Sequence, residues 1–229
     1  MTHSADRRPV GDFDHALSLL DHELEGLELD EPIQIRAIGG YALLKHGIRE
    51  DERALTVDID TMTRDYSAAV QDAIATVAER TGLAKDWLNN DNLGGNDPDE
   101  VAAIYDAEWE PQDDGLKNID MAIASVPTLT RAKIIAADTA QFSDRDQDGP
   151  DLVRLIEHQG IESLAAYRAK YPDPFEEYPE AGELMQGYYA RKKGAAGPST
   201  AERMQRLSDE VAGLDWGDEF ETAGYDDYY

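Results

Sequence analysis

The sequence contains no cysteine, which excludes disulfides, thiolate metal sites and cysteine nucleophiles outright. Lysine is scarce. Seven lysines and 14 arginines stand against 29 aspartates and 20 glutamates, giving a formal net charge of −28. A field of that sign excludes broad electrostatic grip on nucleic acid, which relies on Lys and Arg displacing counterions, and it opposes an anionic membrane surface for the same reason. No apolar run approaches the roughly 20 residues needed to span a bilayer, and residues 1–10 (MTHSADRRPV) lack the apolar stretch of a secretory signal. The expected location is the cytoplasm. The histidines at 3, 15, 22, 46 and 158 show no ligand spacing, and none is assigned a role. No repeat of solenoid period is present.

What is present is enough chain, 229 residues, to hide roughly 70% of the unfolded surface in a core. The acid excess has two readings that stay open: a surface that remains hydrated in high salt, or an ordinary acidic protein from a GC-rich genome. Apolar spacing predicts a helix over residues 12–27, with Ala16, Leu17, Leu20, Leu24 and Leu27 on one face and Asp12 or Asp14 as its cap. A buried strand follows at Ile33, Ile35 and Ile38, then Gly39-Gly40, then a short helix over residues 41–46. Residues 54–63 read as a strand with Leu55, Val57 and Ile59 on one side and Thr56, Asp58 and Asp60 on the other. Helix is expected over 66–81, loop over 89–100, strands over 101–109 and 118–124, and helices over 128–139, 151–158 and 161–170. Beyond Tyr171 the chain is rich in proline, glycine and charge, with one further helix expected over 200–214. The fold class is therefore α+β, or α/β, with a helical C-terminal part. The expected organisation is an N-terminal helix (1–30), a core (31–126), a helical region (127–215) and an acidic tail (216–229).

The chemistry concentrates in Asp58-Ile59-Asp60. Period-two spacing on a strand points both carboxylates to one face, where they repel unless a proton or a cation neutralises them. Oxygen-only ligands suit Mg²⁺, which takes one or two protein carboxylates and completes its shell with water and phosphate. Gly39-Gly40, between strand and helix, allows backbone amides to approach a triphosphate closely, with a helix N-terminus behind them. A lone D-x-D in so acidic a chain is the pattern of any solvated strand face. The strand–Gly-Gly–helix unit ahead of it sets this one apart.

These stretches resemble the core motif of the nucleotidyltransferase superfamily, and within it AbiEii-like toxin proteins. The resemblance lies in Ile38-Gly39-Gly40-Tyr41-Ala42-Leu43, His46-Gly47-Ile48-Arg49 and Thr56-Val57-Asp58-Ile59-Asp60. Trp87-Leu88-Asn89-Asn90 is similar to a W-L-N-D stretch of that family. Residues 129–137 (LTRAKIIAA) resemble its L-x-x-x-K-x-x-A helix, and Arg145 with Asp148-Gly149-Pro150-Asp151-Leu152 resembles its R-x-x-D-x-x-D-L segment. The resemblance spans residues 33–157. The chain departs in the 17 residues between Gly40 and Asp58, longer than usual, in Tyr41 after the glycines, and in Gln147 where a basic residue is common.

The resemblance implies a mixed sheet flanked by helices and a Mg²⁺-dependent transfer of a nucleotidyl group from an NTP to a protein or RNA hydroxyl. Two metal ions are implied, held by Asp58, Asp60 and a third carboxylate. Asp120 is the candidate for the third, since Ile119, Met121 and Ile123 alternate away from it. Nucleotide contacts are expected at Gly39, Gly40, Tyr41, Arg49 and Lys133, with Lys133 counted among the catalytic groups. Lys133 can equally be a surface lysine whose stem snorkels along its apolar helix. Arg49 and Arg53 lie among Glu50, Asp51 and Glu52, where loop ion pairs compete with phosphate. Asp148 and Asp151 can orient Lys133 or Arg145 or cap a helix, and for Asp148, just before Gly149-Pro150, capping is the expectation. A toxin of this type implies an antitoxin partner. The alternatives are a non-catalytic nucleotide-binding or regulatory member of the fold, or an acidic interaction protein that mimics nucleic acid.

Overall fold

The computed structural model describes residues 7–50, 55–138, 147–172 and 177–192. The chain divides into two compact units, Met1–Gln186 and Gly187–Tyr229, and the sheet with everything around it belongs to the first. The fold is mixed α+β. In chain order the elements are β1 (Arg8–Pro9), α1 (Val10–Leu24), β2 (Ile33–Ile38), α2 (Gly39–Lys45), β3 (Leu55–Thr56), β4 (Ile59–Thr61), α3 (Ala68–Thr81), β5 (Leu88–Asn89), α4 (Pro98–Tyr105), β6 (Trp109–Pro111), β7 (Ile119–Ala124), α5 (Val126–Asp138), α6 (Asp148–His158), α7 (Leu164–Lys170) and α8 (Pro179–Lys192).

Five strands form one mixed sheet in the order β5-β4-β2-β7-β6, and β1 pairs separately with β3. β2 lies parallel to β7 and antiparallel to β4. Ile35 and Ala37 of β2, and Ile119, Met121 and Ile123 of β7, alternate onto one face. They join a core that includes Phe13, Leu17 and Leu20 of α1 and Val70, Ile74 and Val77 of α3. Burying a leucine or isoleucine side chain is worth about 1.5–3 kcal/mol relative to leaving it exposed, so this shared apolar layer fixes which face of the sheet is inward. The opposite face carries Asp60 and the half-exposed Asp120.

Several expectations are corrected. α1 starts at Val10 with Pro9 as its cap and no side-chain cap bond, so neither Asp12 nor Asp14 caps it. The strand over 54–63 is two short strands, because the backbone bends at Val57-Asp58 and changes partner: β3 joins β1, while β4 joins the main sheet. Val57 consequently leaves the core side and lines a cavity. The strand over 101–109 is replaced by α4 and the three residues of β6. The Asp97 side chain accepts from Asp99 N, Pro98 occupies the first turn, and Asp99 and Glu100 follow there, so capping and dipole outweigh the β-branched pattern of Val101 to Ile104. α8 lies where only breakers were expected. The expected helix over 200–214 and the tail fall outside the described residues. No helix among the described residues is long and apolar enough to cross a membrane.

Candidate functional site

The site begins where β2 ends. Ile38 is extended, Gly39 takes a left-handed φ of +70°, and α2 begins. A Cβ on Gly39 would stand 2.5 Å from Asp60 Oδ2, and one on Gly40 would stand 2.5 Å from Thr56 Oγ1 and 3.0 Å from Arg49 Nη1. Both positions therefore need glycine: the first for backbone conformation and space, the second for space alone. The Gly-Gly backbone is pressed directly against Asp60, Thr56 and Arg49. α2 has only seven residues, so close backbone approach, more than a helix dipole, is what it offers a ligand.

Gly39, Gly40, Thr56, Asp58 and Asp60 line one cavity of about 450 Å³. Asn89, on β5, donates from Nδ2 to Asp58 Oδ2 at 3.0 Å. The Thr56 hydroxyl donates to the Asp58 carbonyl at 3.2 Å. Between the two aspartates, Ile59 N donates to the carbonyl of fully buried Trp87 at 2.7 Å, and the Trp87 indole donates to the Ile74 carbonyl at 3.1 Å. The backbone carrying the carboxylates is thus tied to β5 and α3.

The opposite wall comes from α5, α6 and their neighbours. Arg49 donates from Nε and Nη2 to the two Asp151 oxygens at 3.1 and 2.5 Å, with side-chain exposures of 8% and 1%. Lys133 Nζ binds Asp148 Oδ1 at 2.5 Å and Asp151 Oδ2 at 3.5 Å. Arg154 adds a third cation at 2.9 Å from Asp151 Oδ1. The expected roles shift accordingly. Lys133 is not a snorkelling surface lysine, since only 12% of its side chain is exposed. Arg49 pairs with a residue 102 positions away. Asp148 does not cap α6: it lies in the first turn, where it holds Lys133.

Two expected site residues lie elsewhere. In the sheet register Asp120 stands beside Gln34, whereas Asp60 stands beside Ile38, four residues and about 13 Å further along β2. Asp120 pairs instead with Arg36, at 2.6 Å. As a third carboxylate for Asp58 and Asp60 it is corrected. Tyr41, expected as a nucleotide contact, is fully buried: its ring packs edge-on to Phe13 and its hydroxyl donates to Asp14 Oδ1 at 2.7 Å. Burial first, and then the hydrogen bond to and charge of Asp14, push the Tyr41 phenol well above its usual range.

Other lining residues carried no motif. Arg7 is brought in by β1, whose register pairs Arg8 with Thr56 and Pro9 with Leu55. Gln147, with its amide oxygen toward Arg7, accepts from both Nη atoms of that guanidinium. Asn92 also lines the cavity, and its buried Oδ1 has no hydrogen-bond partner among the described residues. Asn92 had a weak signal in the turn-rich stretch after Trp87-Leu88; a two-residue arm strand has none.

No cluster of three or more His, Asp or Glu side chains suited to a metal occurs among the described residues. Asp58 and Asp60 are a two-carboxylate set of hard oxygens, with Asp60 placed against the bare Cα of Gly39, and that set suits one Mg²⁺ completed by water and phosphate. Compared with family models, curated proteins and solved structures, the chain matches none of them.

Proposed function

We propose that the cavity binds a nucleoside triphosphate with Mg²⁺ and transfers its nucleotidyl group to a hydroxyl of a protein or an RNA end. The observation that carries this reading is the contact of Asp60 with Gly39, which places a metal-suited carboxylate against the Gly39-Gly40 backbone. Charge supports it. Among the described residues the lining holds three cations (Arg7, Arg49, Lys133) and three carboxylates (Asp58, Asp60, Asp148), so the wall is electrically balanced. A tetra-anionic ligand then needs a further cation, and Asp58 and Asp60 are the residues that would hold it.

Gly39 and Gly40 let phosphate oxygens reach backbone N–H groups. Asn89 fixes the rotation of the Asp58 carboxylate. Arg49 and Lys133, each held by a buried aspartate, add positive potential from fixed positions and need no reorganisation when phosphate arrives. When bound, Mg²⁺ offsets charge on the triphosphate and on the attacking and leaving oxygens. The acidic surface elsewhere restricts nucleic acid to one end held inside the cavity. A toxin of this class pairs with an antitoxin protein, which makes a cognate inhibitor the natural partner.

The absence of Asp120 from the cavity favours a second reading, nucleotide binding without transfer. One experiment separates the two. Binding of each of the four Mg–NTP pairs is measured by titration calorimetry, and then α-labelled nucleotide is offered with total tRNA and total protein as acceptors. Binding plus label transfer, both lost in Asp58→Asn/Asp60→Asn, supports the enzyme. Binding without transfer supports the second reading, and no binding to any NTP overturns both.

A further inference from the structure

We infer that Arg7 is the residue by which this site selects polyphosphates over monophosphates; the inference rests on the nucleotide reading above. Among the described residues three cations line the cavity, and they are not equivalent. Arg49 is spent in a two-pronged bond to Asp151, and Lys133 is spent on Asp148. The guanidinium of Arg7 meets a neutral amide, that of Gln147, and no carboxylate among the described residues lies within ion-pair distance of it. Among the described residues no carboxylate cancels its charge. Among the described lining residues, Asp58, Asp60 and Asp148 face Arg49 and Lys133, and Arg7 is the third cation. A ligand's gain from such a charge grows with its own charge, and phosphate oxygens match the guanidinium fork.

The placement is built. The register that pairs Arg8 with Thr56 brings Arg7, one residue further out, beside the Val57-Asp58 bend, where Val57 and Asp58 also line the cavity. Across the opening, Gln147 directly precedes Asp148, which holds Lys133. Arg7 thus spans from the carboxylate side to the α6 side. It is exposed, so its side chain has room to exchange the Gln147 amide for phosphate, a charge-assisted partner roughly twice as strong as a neutral one.

The test is titration of the full chain with the Mg complexes of ATP, ADP and AMP. Arg7→Gln should weaken ATP about tenfold and AMP less than twofold, and inorganic tripolyphosphate should lose its ability to compete. Arg7→Lys should recover part of the loss, since it restores charge without the fork. Gln147→Ala frees the guanidinium, so ATP affinity should hold or rise. Arg8→Gln, altering a residue of the same arm that does not line the cavity, should leave all three affinities unchanged. Arg7→Gln without effect on ATP overturns the inference. So does equal weakening of all three ligands by Arg7→Gln and Gln147→Ala, which would make the contact a strap for the arm. If the wild-type chain binds none of the Mg–NTP pairs, the nucleotide reading fails, and this inference with it; binding with an unaltered Arg7→Gln affinity overturns this inference alone.

Discussion

Arg49 and Asp151 meet as a fork on a fork, 102 residues apart in sequence and both buried, at 3.1 and 2.5 Å. Asp151 also receives Arg154 and Lys133. Removing its charge leaves several cations around an uncompensated buried site. Asp151→Asn is expected to cost about 3–5 kcal/mol, read as a lower urea midpoint at unchanged m-value. Arg154→Gln, a more exposed donor to the same carboxylate, should cost about 1 kcal/mol or less. Equal effects from the two would show that burial does not set the worth of these pairs.

The two glycines should fail differently. Gly40→Ala runs into Thr56 Oγ1, so the same change in a Thr56→Ala background should lose less stability than in the wild type. Gly39→Ala cannot be rescued this way. Its φ of +70° costs an L-residue about 1–2 kcal/mol whatever space is cleared around Asp60. A double-mutant cycle by chemical denaturation reads both outcomes.

Magnesium alone should stabilise the fold. At a hundredfold excess over its dissociation constant the gain is about 2.7 kcal/mol, an upward shift of several degrees in Tm for a chain of this length. Asp58→Asn/Asp60→Asn should abolish that shift. A magnesium shift that survives the double substitution would place the ion elsewhere.

Alkaline pH should destabilise the protein through its tyrosines. Burial pushes the Tyr66 phenol up to about 12, against smaller opposing effects of Thr61, Thr63 and Arg36, and its hydroxyl donates to the Gln34 carbonyl at 3.0 Å. The folded state keeps this proton after the unfolded chain has lost it. The contribution is therefore complete below pH 10 and is lost between about pH 10 and 12. Over that window Tyr66→Phe should reduce the fall in unfolding free energy by about 1.4 kcal/mol per pH unit. An unchanged slope would mean that Tyr66 ionises as freely folded as unfolded.

Local signals foretold the parts that local physics decides. Alternation of Ile33 and Ile35 marked β2, the glycine pair marked its end, and the spacing of Leu17, Leu20 and Leu24 marked α1. The helix α4 was missed because Val101-Ala102-Ala103-Ile104 reads equally as strand; the decisive feature was the Asp97-Pro98 start. The break at Val57-Asp58 arises because β3 and β4 serve different partners, which no spacing within the segment reveals. Site residues behaved alike. Asp58 and Asp60 are neighbours in the chain, and their convergence is written in two positions. Arg49 with Asp151, and Arg7 with Gln147, depend on topology. Asp120 was misplaced because alternation specifies a face of the sheet and says nothing about position along it.

Trp87 gives the site an optical handle. Its carbonyl holds the amide between Asp58 and Asp60, and its ring is sealed in the core with the indole N–H engaged. Indole emission responds to the electric field across the ring, so a change of charge at Asp58 and Asp60, which flank the residue its carbonyl holds, should move its wavelength without any label. Filling or emptying the cavity then becomes visible in a stopped-flow fluorimeter, with Trp87→Phe as the blank that isolates this chromophore from the other two tryptophans.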